Sequence, residues 1–248
     1  MNDEFYIGYL PSAPPGLARR AKRVVLTLIF LGASSVVWLA ASQAARPAGT
    51  FEFGTVRTFE GVLIERPIPM LRVSPPEGLE GEASPLVLVG FGKGGLPEFA
   101  RGHHGAQVRF RGTLVIQGAN AMIELNDPES FEVITPAAAG DPTGEILSLN
   151  VTVTGELVDT KCYFGVMRPA TGKVHRACAV RCLSGGVPPG LLVRDDIGGS
   201  AVFLLAGTDG APLDYDVEWA ALAVTARGAL ELHGELPVLR VRSLELAH

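Results

Sequence analysis

Residues Val24 to Ala45, VVLTLIFLGASSVVWLAASQAA, carry no charged side chain over 22 positions. Such a stretch has few ways to fold. As an α-helix rising 1.5 Å per residue it spans about 33 Å, enough to cross the hydrocarbon core of a bilayer. In lipid a helix is the element that satisfies its backbone N–H and C=O groups within one segment. Arg19, Arg20, Lys22 and Arg23 stand just before the run. Positive charge stays on the cytoplasmic side, which places the N-terminus inside and the chain after Arg46 outside. Trp38 falls near the outer end, where indole rings favour the interface. A cleaved signal peptide, with Ser42-Gln43-Ala44 as the small-residue site, is the competing reading. The run is longer than the usual apolar region of about 7–15 residues, and a long aromatic, Pro-rich segment from Phe5 to Gly16 precedes it. The expectation is a cytoplasmic tail at 1–23 and a retained single-pass anchor at 24–45. It would sit in the cell inner membrane, with the bulk of the chain on the periplasmic or extracellular side.

The exported part is poor in charge and rich in turn formers. The whole chain of 248 residues is 47% hydrophobic and 19% charged, with 30 glycines and 18 prolines. That mixture suits short strands joined by turns better than long helical bundles. Residues 1–45 hold four of the 21 basic and two of the 26 acidic residues, which leaves 17 basic against 24 acidic and a net charge of −7 beyond them. No basic stripe is visible, so nucleic acid is not an expected partner.

Two stretches of the exported part resemble each other in order and character. The first has Thr58-Phe-Glu-Gly61-Val-Leu-Ile, Leu86-Val-Leu-Val-Gly90, Val108-Arg-Phe-Arg-Gly112-Thr-Leu and Ile123-Glu124-Leu. The second has Val153-Thr-Gly155-Glu-Leu-Val, Val202-Phe-Leu-Leu-Ala-Gly207, Val224-Thr-Ala-Arg-Gly228-Ala-Leu and Leu244-Glu245-Leu. Each block is short, aliphatic and β-branched and stops or bends at glycine, as strands do. Glycine within a strand pattern marks the bulges and bends that small barrels need. A repeat of this length is too long for a solenoid unit and fits two copies of a small domain. The expected fold is mainly β: the transmembrane helix, then two tandem OB-like β-barrels at 51–134 and 148–248, joined by a linker at 135–147. From Gly90 to Gly112 is 22 positions and from Gly207 to Gly228 is 21, but Gly61 to Gly90 is 29 and Gly155 to Gly207 is 52. The second copy therefore carries an extra 23 or so residues in one interval, placed at 160–190, and insertions on a rigid scaffold are where function tends to sit.

That interval holds every cysteine of the chain, Cys162, Cys178 and Cys182, together with His175. A helix over Val174–Leu183 puts His175, Cys178 and Cys182 on one face, at i, i+3 and i+7, with Cys162 on a strand end upstream. Four ligands of this kind suit zinc or copper and are compatible with an iron–sulfur centre. The paired Cys-x-x-Cys knuckles of zinc ribbons and the Cys-x-x-Cys-His of attached haem are both absent. In an oxidising compartment the plainer expectation is one disulfide, from Cys162 to Cys178 or to Cys182, with one thiol left over. Cys178 with Cys182 is a poor pair, because a helical turn separates them. A leftover thiol beside Lys173, Arg176 and Arg181 would be ready to exchange. Gly102-His103-His104-Gly105 reads as a solvated turn, and Gly90-Phe-Gly-Lys93-Gly-Gly as a hairpin turn rather than a phosphate loop, since it lacks the Gly-Lys-Ser/Thr ending.

A membrane segment followed by OB-like barrels is similar to the arrangement of some cytochrome-assembly factors, although their haem-binding His-x-x-x-Tyr pattern is absent here. The Cys178-x3-Cys182 spacing with a separate histidine resembles copper-delivery proteins of thioredoxin-like type, without their sequence context. No Ser/His/Asp or paired-acid constellation points to an enzyme. The leading expectation is a non-catalytic accessory or assembly subunit of a membrane redox or electron-transfer complex, partnered by other subunits of that complex. Metal binding or delivery, and thiol–disulfide chemistry, are the alternatives.

Overall fold

The computed structural model describes residues 12–44, 49–73, 85–118, 120–137, 144–195, 199–208 and 213–247. The chain divides into two compact units, Met1–Pro47 and Ala48–His248.

Among the described residues the first unit is one helix, α1 (Pro15–Ala44). It starts nine residues before the uncharged run and takes in the four basic residues. Pro15 suits the first position, where a missing N–H leaves no helical bond unmade. Ser35 and Ser42 donate their hydroxyls to the carbonyls of Leu31 and Leu39, both at 2.8 Å, so these polar groups are satisfied within the helix. Its stretch Pro15–Ser42 has a mean hydropathy of 2.3 in its most apolar window and is long enough to cross a membrane. Most of the aromatic, Pro-rich tail lies outside the described residues.

The second unit is two closed five-stranded barrels. The first half contributes β1 (Thr50–Phe51), β2 (Arg57–Ile64), β3 (Met70–Val73), β4 (Leu86–Gly90), β5 (Gln107–Gln117), β6 (Asn120–Leu125) and β7 (Glu132–Thr135). The second half contributes β8 (Glu145–Asp159), α2 (Thr160–Phe164), α3 (Arg176–Ser184), β9 (Pro189–Arg194), β10 (Ser200–Gly207), β11 (Ala223–His233) and β12 (Leu236–Leu246). One ring runs β2-β3-β4-β6-β5 and returns to β2, with β1 and β7 added on β5. The other runs β8-β9-β10-β12-β11 and returns to β8. In each ring the third and fifth strands, β4–β6 and β10–β12, are parallel and the other neighbours antiparallel. The turn after Gly90 is therefore not a hairpin: β4 pairs with β3 and β6, not with the next strand β5. Strands β3 and β9 carry no glycine signal of the repeating kind and escape the sequence pattern.

The glycines matched by the sequence occupy matching places in the two rings. Gly90 and Gly112 both face Leu125 across the ladder, and Gly207 and Gly228 both face Val241. A Cβ on Gly228 would lie 1.9 Å from the Arg240 carbonyl oxygen, and one on Gly112 2.9 Å from that of Glu124. Adjacent strands approach too closely there for any side chain. Around these positions the period is two: Val108 and Phe110 point inward while Arg109 and Arg111 face solvent, and Val224 and Ala226 point inward while Arg227 faces solvent.

Each barrel has its own interior, Leu63, Leu88, Phe110 and Ile123 in the first and Leu157, Leu191, Leu205 and Leu239 in the second. A third core belongs to both. Ile64, Met70, Val87, Val115 and Met122 of the first barrel pack with Val158, Phe164, Leu204 and Val238 of the second. Adjacent residues such as Leu63 and Ile64 are both fully buried because opposite faces of β2 serve the two cores. A buried ion pair crosses the same boundary. The Lys161 ammonium bonds the Glu124 carboxylate and also donates to the carbonyls of Gly90 at 2.6 Å and Gly92 at 2.7 Å.

Candidate functional site

The connection from first to second strand is short in one barrel and long in the other. It covers residues 65–69 between β2 and β3 and residues 160–188 between β8 and β9. The long connection holds α2 and α3, and with them His175 and all three cysteines.

Asp159 starts it. The last residue of β8 is extended, and its side chain caps α2 by accepting the Cys162 N–H at 2.8 Å. Cys162 is thus in the first turn of a short helix, one step beyond the strand end on which the sequence placed it. The other Asp159 oxygen lies 2.9 Å from Nε2 of His175. His175 precedes α3, and its carbonyl accepts from Cys178 and Ala179 at 2.9 and 3.0 Å. Asp159 and His175 are both buried. Burial works against the Asp159 charge, but the hydrogen bonds from His175 and Cys162 outweigh it and hold the carboxyl below the usual carboxylate range. The helix predicted over Val174–Leu183 is present as α3, with Cys178 and Cys182 one turn apart.

The three sulfurs converge. Cys162 Sγ lies 3.8 Å from Cys178 Sγ and 3.9 Å from Cys182 Sγ, and all three sit within 4.8 Å of one another. None is bonded to another. Cys182 is buried, while Cys162 and Cys178 are partly exposed. His175 is placed apart from Cys178 and Cys182; it forms a second donor group with Asp159 and Cys162, so Cys162 belongs to both. The four residues selected from the sequence therefore form two overlapping groups rather than one shell.

Lys93 completes the site from the other barrel. Its ammonium donates to Cys178 Sγ at 2.7 Å and reaches Cys182 Sγ at 3.5 Å. The hydrogen bond to Cys178 pushes the lysine pKa up, against the pull of burial. The hydrogen bond from Cys162 lowers the Cys182 thiol to about 7; burial opposes this and Lys93 assists it. Donating that bond, together with burial and the nearby Asp159 charge, pushes Cys162 up. Lys93 is delivered by the glycine-rich loop after β4, which is fastened to the end of α3. Gly95 N–H donates to the Gly185 carbonyl at 2.9 Å, and a Cβ on Gly185 would lie 1.9 Å from the Lys93 carbonyl oxygen. The Lys161 bonds to Gly90 and Gly92 hold the other side of this loop.

Sequence reasoning misses Lys93, Asp159, Lys161 and Glu124. Asp159, three residues before Cys162, carries a readable cap signal. Lys93 carries none, because nothing local says which barrel it will face. The His103-His104 pair is not simply solvated. The Glu65 N–H donates to His104 Nδ1 at 2.9 Å, the His103 N–H donates to the Glu65 carboxylate at 2.7 Å, and the His103 ring packs on Phe131. These contacts fasten a turn, and neither histidine joins a donor cluster among the described residues.

No family model matches the chain, and neither a curated protein nor a solved structure is significantly similar to it.

Proposed function

We propose that the protein is a single-pass, membrane-tethered accessory or assembly subunit of a membrane redox complex, exported on tandem OB-like barrels, whose cysteine triad binds one thiophilic metal ion, zinc or copper. The separation of the sulfurs carries the metal reading. Thiolates on one tetrahedral ion at about 2.3 Å stand about 3.8 Å apart, and three-coordinate geometry widens this to about 4.0 Å. The distances of 3.8 and 3.9 Å from Cys162 fall in that interval. An iron–sulfur cluster spreads its thiolates over separate irons and suits this spacing less well. Cys162, Cys178 and Cys182 would be the ligands. Asp159, which accepts the Cys162 N–H, and His175, which bonds Asp159, would orient Cys162.

The strand order first, second, third, fifth, fourth, with its parallel closing pair, supports the OB-like reading. So does the position of the site, since OB-folds use the connection between their first two strands for binding. Matching glycines at the same ladder positions support a duplication, with residues 160–188 as an insertion in its second copy. The helix α1 and the basic residues at its start support an N-in anchor. The subunit role rests on that anchor and on the absence of a catalytic constellation among the described residues.

Elemental analysis and thiol counting of the full chain, purified in detergent without chelator, test the metal reading. The expected result is about one equivalent of zinc or copper with three reducible thiols, lost in the Cys178→Ser/Cys182→Ser variant without a large fall in thermal stability. Reduced protein that takes up neither ion on titration would refute it. Isolation from native membranes as a lone, monodisperse species would refute the subunit role.

A further inference from the structure

The triad has a geometry that metal binding does not require. Its three sulfurs do not share one environment: Cys182 is buried, Cys162 and Cys178 are partly exposed, and Cys162 contacts both of the others. Cys162 lies nearly equidistant from both, at 3.8 and 3.9 Å. The Lys93 ammonium is closer to the outer sulfur, at 2.7 Å, than to the inner one, at 3.5 Å. We propose that the metal-free triad is a thiol–disulfide relay that reduces an external disulfide at Cys178 and passes the new disulfide inward through Cys162 to Cys182.

The steps balance without a further reagent. The Cys178 sulfur, its proton given up to solvent, attacks one sulfur of a small-molecule or peptide disulfide. The external S–S bond breaks, a mixed disulfide forms on Cys178, and the first thiolate leaves and takes a proton. Cys162 then attacks Cys178 Sγ; the mixed disulfide breaks, and the second leaving thiolate takes the Cys162 proton. Two protein thiols are now oxidised and one external disulfide is reduced to two thiols. Finally Cys182 attacks Cys162 Sγ, the Cys162–Cys178 bond breaks, the leaving Cys178 sulfur takes the Cys182 proton, and a Cys162–Cys182 disulfide remains, with no net redox change in this last step. The inner bridge is the expected resting product because it leaves the remaining sulfur at Cys178, where the Lys93 ammonium is nearest. Attack by Cys182 on an external disulfide is blocked by its burial on the inner face of α3. The inner bridge also removes two of the three sulfur donors, so oxidation of the triad would release a bound ion.

The relay uses the same sulfurs as the metal site but not the ion, so the two readings fail separately. The test uses the full chain in detergent, reduced and stripped of metal, with oxidised glutathione as the probe. Samples are quenched with an alkylating agent and mapped by mass spectrometry. Wild type is expected to end with a Cys162–Cys182 bridge and an alkylated Cys178. Cys162→Ala should stop as a glutathione adduct on Cys178, and Cys182→Ala should end as a Cys162–Cys178 bridge. Cys178→Ala should slow oxidation at least tenfold, with its thermal unfolding confirming a folded chain. A wild-type end product bridged from Cys162 to Cys178, adducts first on Cys182, or a folded reduced protein inert to the probe would each overturn the proposal.

Discussion

Replacing Lys161 by methionine tests how the two barrels are held together at the site. The methionine keeps the length of the stem and removes the ammonium. In the structure that ammonium is 10% exposed and bonds a Glu124 carboxylate that is 8% exposed, as well as the carbonyls of Gly90 and Gly92. Breaking a buried ion pair by removing one partner costs about 3–5 kcal/mol, because the other charge is left without compensation. For a unit of this size each kcal/mol lowers Tm by about 2–4 °C, so Lys161→Met should melt about 6–20 °C below wild type. The double variant Lys161→Met/Glu124→Leu removes both charges. It should recover part of the loss and retain a deficit of about 1–3 kcal/mol from the two hydrogen bonds lost at the Gly90 and Gly92 carbonyls. Far-UV circular dichroism of the full chain in detergent, followed through the β signal, measures both. A Lys161→Met chain that melts within 2 °C of wild type, or a double variant below the single one, would refute the reasoning.

Two further outcomes follow from the packing and the charges. Gly228→Ala forces a Cβ to within 1.9 Å of the Arg240 carbonyl. It should cost about 1–3 kcal/mol or more, as overpacking does, whereas Gly32→Ala, in α1 with nothing within 4 Å, should leave the denaturant midpoint of the barrels unchanged; an unaltered midpoint for Gly228→Ala would contradict the observed strand spacing. His233 is buried beside Glu231 and Arg240, and burial holds its pKa below 6.5. Below about pH 6.5 the unfolded chain therefore binds a proton that the folded chain resists, and stability falls as pH drops toward the folded value. His233→Gln should flatten the Tm profile between pH 6.5 and 5, and an unchanged acid slope would show that another group is responsible.

Much of the scaffold is legible because it rests on local rules. The charge-free run forces a helix. The period-two pattern of Val108, Phe110 and Gly112 forces a strand with an inner and an outer face, and its repetition at Val224, Ala226 and Gly228 betrays the second ring. Even the unequal Gly61–Gly90 and Gly155–Gly207 intervals mark which ring has the longer connection between its first two strands, residues 160–188 against 65–69. What is not legible is non-local. Nothing near Ile64 says that it faces a second barrel while Leu63 faces its own. Strand β3 is only Met70–Val73, and its pairing with β2 and β4 appears once the ring closes.

The candidate site shows the same division. Within residues 160–188 the sequence places Cys178 and Cys182 on one helix face and brings Cys162 near them, since these are relations along one connection. His175 stands beside Asp159, at the end of the preceding strand, in a donor group that shares Cys162 with the triad, a partnership that the spacing within the connection does not reveal. Lys93 lies 85 positions from Cys178, and its role depends on the shared core that seats the β4 loop against α3. The first barrel thus contributes more than a spacer. It supplies the cation beside the sulfurs, and its Glu124 pairs with Lys161 of the second half, whose ammonium holds the loop that carries that cation. A second barrel expressed without the first would keep its three cysteines and His175 but would expose the faces of Val158, Phe164 and Val238 that the first barrel covers, and would leave Cys178 without its lysine.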